Sequence, residues 1–126
     1  MLNFREFEAG TDPFGRKYQA LFQWLQTAIS LRHSDTVDVK FTLVDESGAQ
    51  SPKTIAMPLA DLPRVSASVG RRMDDAWCAR LAALHLRRLV QSGEDMEKEL
   101  VTVSPADLAR YAAEVDRLER SSVSAG

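Results

Sequence analysis

The chain is poor in the residues that most chemistry uses. Its 126 residues include one cysteine, Cys78, and two histidines, His33 and His85. A lone cysteine closes no internal disulfide, so folding requires no oxidising compartment. Two histidines and one cysteine are too few soft ligands for a closed zinc site. Asp45-Glu46-Ser47-Gly48 lacks the ligand spacing of a calcium-binding helix–loop–helix loop. The six glycines form neither a phosphate-cradling loop nor the flanks of a nucleophile elbow. No apolar run reaches the ~20 residues of a membrane span. Met1–Gly10 carries Arg5, Glu6 and Glu8 where a signal peptide would be apolar. A net charge of −2 gives no electrostatic reason to expect nucleic acid or an anionic membrane as partner. No metal, cofactor, catalytic residue or membrane contact is therefore predicted, and the expected setting is cytoplasmic.

What is present is a sequence for a folded domain, with 44% hydrophobic and 27% charged residues. Twelve arginines against four lysines, with sixteen alanines, match a GC-rich bacterial gene. Val37–Val44 alternates cleanly: Val37, Val39, Phe41 and Leu43 face one way, Asp38, Lys40 and Thr42 the other. After a polar turn, Ile55, Met57 and Leu59 return on one face, giving a long-looped hairpin over 37–44 and 53–59. Pro58 lacks a donor N–H and belongs at a strand end or sheet edge.

Two long helices are expected, over 13–32 and 74–92, with a third over 105–120. Asp12-Pro13 reads as an N-cap and first helical residue, and Phe14, Tyr18, Leu21, Phe22, Leu25, Ala28 and Ile29 keep helical spacing. In the central helix Cys78, Leu81, Ala82, His85, Leu86 and Leu89 share one face, opened by Asp74-Asp75 and closed by Gly93. Ser104-Pro105-Ala106-Asp107 is a further helix start. Leu59–Gly70 supplies a turn or two of helix interrupted near Pro63. Segments 2–8 and 100–103 read as weak strands. The class is α+β: a small antiparallel sheet packed against helices, a split βαβ arrangement if both weak strands form and a helical cluster braced by a hairpin if they do not. One domain spans 1–120, with a disordered tail at 121–126.

Cys78 and His85 cannot form a dyad within one helix, because seven residues separate them by about 10 Å along its axis. Both read as core residues. His33, with Asp35 and Asp38, offers an acid–base group; the plainer reading is that Arg32 and His33 complement a helix C-terminus. Arginines gather between Arg64 and Arg88, and Arg71, Arg72, Arg80, Arg87 and Arg88 form a candidate patch for anions or nucleic acid. Asp74, Asp75 and the acids at 94–99 neutralise it locally. Trp24, with Ala20 and Leu31, lies off the main stripe of the expected first helix and marks a second packing surface. The reading is a non-catalytic binding or assembly module working through a protein partner or homodimerisation at Ala20, Trp24 and Leu31. The alternatives are a nucleic-acid-associated protein using the arginines and a small enzyme with a carboxylate or His33 as general base.

Overall fold

Alternating residues build a sheet, and periodic ones cover it. The computed structural model describes residues 3–29, 31 and 35–125, with side chains as far as residue 120. In chain order its elements are β1 (Glu6–Thr11), β2 (Lys17–Ala28), β3 (Thr36–Asp45), β4 (Gln50–Pro58), α1 (Leu62–Ser68), α2 (Asp75–Ser92), β5 (Leu100–Thr102) and α3 (Pro105–Ala125). The class is α+β. The strands lie in one sheet in the order β1-β2-β3-β4-β5. β1 to β4 form an antiparallel meander, and β5 returns parallel to β4 after the two helices.

Where a helix is expected over 13–32, the described residues form a turn followed by the strand β2, Lys17–Ala28. Asp12-Pro13-Phe14-Gly15 makes the turn between β1 and β2: Asp12 Oδ1 accepts the backbone N–H groups of Phe14 and Arg16, both at 2.9 Å. Gly15 closes it with φ of 85°, a left-handed value that helix interiors exclude. Pro at the second turn position with Gly at the fourth is turn chemistry, and it outweighs the helix-start reading of Asp-Pro. The apolar spacing misled for a second reason. A bulge leaves Gln23 unopposed between the pairs Phe22–Phe41 and Trp24–Lys40. The core-facing residues of β2 therefore run Tyr18, Ala20, Phe22, Leu25, a step of three that imitates a helix.

That exchange removes the split βαβ arrangement and gives a four-stranded meander in its place. The hairpin stands, tighter than expected, with pairing through Val44–Gln50. Asp45 Oδ1 holds its turn by accepting Ser47 N–H, Ser47 O–H and Ala49 N–H at 2.6–3.0 Å. The weak strand at 2–8 forms as Glu6–Thr11, and that at 100–103 as Leu100–Thr102. Pro58 ends its strand, and Pro63 opens α1 and does not interrupt it. α3 continues past the expected end at 120, to Ala125.

α2 begins and ends where its caps place it. Asp74 accepts Trp77 N–H at 2.8 Å, and Gly93 stands at the C-cap with φ of 75°. The helix lies across the sheet, and α3 packs on α2 and α1. Covered on two sides, α2 buries Trp77, Leu81, Ala83, Leu84, Leu86 and Val90, a wider belt than one amphipathic face. Under it a chain of edge-to-face rings joins Phe4, Phe22, Phe41 and Phe7 at centroid spacings of 5.3–6.0 Å. The three buried rings, Phe4, Phe7 and Phe41, each contribute about 1.5–3 kcal/mol by leaving water. Among the described residues no helix is long and apolar enough to cross a membrane.

Candidate interaction site

β2 is longer than the strand beside it. β1 pairs with Lys17–Leu21, and Phe22 N–H still donates to the Arg5 carbonyl at 2.9 Å. From Gln23 to Ala28, β2 has β3 on one side and no strand on the other among the described residues. Antiparallel pairing alternates the direction of backbone groups, so the groups left over can be assigned. Thr54 N–H and Ala56 C=O bond to the β5 side of β4. Ile55 and Met57 therefore turn to β3 and meet Val39 and Val37. Lys40 and Asp38 turn the other way, to Trp24 and Gln26. Leu25 and Thr27 are what remains: their N–H and C=O groups point out of the sheet.

Beside this edge lies a cavity of about 390 Å³ walled by Phe4, Phe22, Trp24, Leu25, Ala76 and Ala79, with Arg5 and Asp75 at its rim. Trp24 is 38% exposed, and the Lys40 ammonium lies 6.0 Å from its ring centre. Beyond the strand Ile29 is 81% exposed and Leu31 is fully so. Trp24 and Leu31, two of the three expected contact residues, are thus exposed. Ala20 is not: it is wholly buried between Phe7 of β1 and Leu43 of β3, because in a strand it falls on the core face.

The arginine patch is largely occupied. Arg71 binds Asp116 and Glu119, both at 2.9 Å, Arg80 approaches Glu119 at 3.8 Å, and Arg88 binds Asp107 at 2.8 Å. These pairs tie α2 and the segment before it to α3. The neutralising acids are not those nearby in sequence but lie on α3, where helical spacing turns Asp116 and Glu119 the same way. Arg72 is exposed. Arg87 lines a shallow cleft of about 310 Å³ with Arg88, Arg110, Tyr111 and Glu114.

Three further reactive side chains among the described residues, Cys78, His85 and Lys53, are internal. Cys78 is buried, and its thiol is pushed up to about 12, by burial first and by Asp75 and Asp74 beside it. His85 is buried, its Nδ1 2.8 Å from the Tyr111 hydroxyl. Burial moves its pKa below the ordinary 6.5. Lys53 was not singled out in the sequence, yet it is almost completely buried. Its ammonium donates to the carbonyls of Met96 and Lys98, gathering the loop after α2. The signal was present, since Lys53 is in phase with Ile55 and Met57 on the inward face of β4. His33 lies outside the described residues, and Asp38 accepts the Thr36 hydroxyl at 2.7 Å. Among the described residues no group of three or more His, Cys, Asp or Glu side chains could hold a metal ion. No family model matches the chain, and neither the curated proteins nor the solved structures contain a match to it.

Proposed function

We propose that the chain is a non-catalytic binding and assembly module, acting in the cytoplasm by taking up an extended segment of a protein partner along β2. One observation carries the reading: residues 23–28 of β2 extend past β1 with outward backbone groups, beside an apolar cavity. A free strand edge supplies main-chain hydrogen bonds to an added strand, and a flanking pocket takes its side chains. Trp24, Ile29 and Leu31 are the exposed apolar groups such a contact would bury. Nucleic-acid association through the arginines is less well supported, because Arg71, Arg80 and Arg88 already face carboxylates.

The test is a tagged pull-down from the native host, with nuclease, comparing the wild type with Thr27→Lys. Thr27 is exposed, so the change leaves the core alone while placing a charge on the edge. The expected result is a stoichiometric companion, or an untagged copy of the chain, that the wild type retains and Thr27→Lys loses. The same set of companions with both proteins, or none with either, contradicts the proposal.

A further inference from the structure

We propose that the occupant of the β2 edge is a second copy of this chain, paired antiparallel through β2 about a two-fold axis at Gln26. The inference rests on the reading above and names its partner. Three observations converge on it.

The edge carries no charge. From Gln19 to Leu31 there is no acidic or basic residue, no proline and no glycine. Strand edges that face water are ordinarily protected by just those residues. An identical strand is a matched partner for such a segment, since pairing brings no charge out of water on either side.

The outward groups of the open stretch, at Leu25 and Thr27, are also symmetric about Gln26. At one end Arg5 occupies the edge at Phe22, and at the other the strand ends at Ala28. Only one register uses all the outward groups within the strand. It sets Leu25 of one copy opposite Thr27 of the other, twice over by symmetry. Each pair exchanges two N–H···O=C bonds, which satisfies all four outward groups of each copy. Sliding one way would put Thr27 against the bulged Gln23, and sliding the other would put Leu25 against Ile29, outside the strand.

Side chains fit this register as well. Trp24 of each copy lies opposite Ala28 of the other, large against small. Ile29 comes opposite residue 23, beside the Phe22 and Phe4 walls of the neighbouring cavity. The exposed isoleucine thereby meets the apolar wall of the cavity. An isologous two-fold contact of this kind closes on itself and stops at a dimer.

Sedimentation of the purified full chain across a concentration series tests the proposal, together with a disulfide trap. The wild type is expected to be a dimer, and Thr27→Lys a monomer with the same circular dichroism and urea midpoint. Gln26 meets its own symmetry mate as a non-hydrogen-bonded pair, whose Cα separation of about 4.5 Å suits a disulfide. Gln26→Cys should therefore cross-link on mild oxidation, while Phe14→Cys, at the exposed tip of the β1–β2 turn, should not. The buried Cys78 does not compete. A wild type that stays monomeric, or a dimer that Thr27→Lys leaves intact and Gln26→Cys fails to cross-link, overturns the proposal. If the wild type is monomeric yet Thr27→Lys loses a companion in the pull-down, the module reading stands and only the second copy falls.

Discussion

At the scale of single residues, Cys78, His85 and Lys53 serve the interior. Cys78 is buried with its thiol near 12, so native protein should resist an aromatic disulfide reagent that labels it fully in urea. Rapid stoichiometric labelling of the folded chain would contradict its placement. Burial depresses the pKa of His85, which fixes the sign of its pH effect. The folded state favours the neutral ring, so the contribution is complete above 6.5. It is lost as the pH falls from 6.5 towards the lower folded value, because the unfolded chain takes up the proton first. Urea midpoints of the wild type should therefore fall more between pH 7.5 and about 5.5 than those of His85→Gln. Equal slopes would show that the ring is not buried as described. Lys53 is a buried ammonium held by two carbonyls. Lys53→Met keeps the stem but leaves both acceptors unmatched, and is expected to cost about 1–3 kcal/mol by urea denaturation. A neutral or stabilising result would mean that those carbonyls are satisfied without it.

At the scale of elements, caps and turns decide more than periodicity does. The C-cap Gly93 combines a left-handed φ with a close neighbour, since a Cβ there would lie 3.0 Å from Pro13 Cγ in the β1–β2 turn. Gly93→Ala should destabilise by about 1 kcal/mol or more. Gly48→Ala is the comparison: its φ is also positive, but no atom lies within 4 Å of the added methyl, so it should cost less in the same thermal melt. Where the sequence carried local chemistry, the elements were legible from it. Asp74 and Gly93 bounded α2, Ser104-Pro105 opened α3, and the Val37–Leu43 alternation gave β3. β2 was not legible, because its bulge at Gln23 shifts the inward phase by one residue and turns a period of two into apparent helical spacing. The candidate site was legible only in part for the same reason. Trp24 stands out as an apolar residue off the main stripe in either conformation, whereas the free edge exists only once β1 is seen to stop short of Gln23.

At the scale of the whole molecule, one face of the sheet is sealed and, among the described residues, one stretch of edge is left open. Arg71, Arg80 and Arg88 bind α3 to the rest of the helical layer, and the layer closes the core over Phe41, Leu43 and Ile55. β5 is short, and β1 carries Glu6 and Glu8 outward, so neither invites pairing along its length. Residues 23–28 of β2 have no such protection. The deciding measurement is residue-resolved amide hydrogen exchange along β2 at low and high protein concentration. Trp24 and Gln26, bonded to β3, should be protected at both. Leu25 and Thr27 should exchange freely when dilute and become protected as the chains pair. If Leu25 and Thr27 exchange at the same rate at every concentration, β2 is not the surface through which this protein assembles.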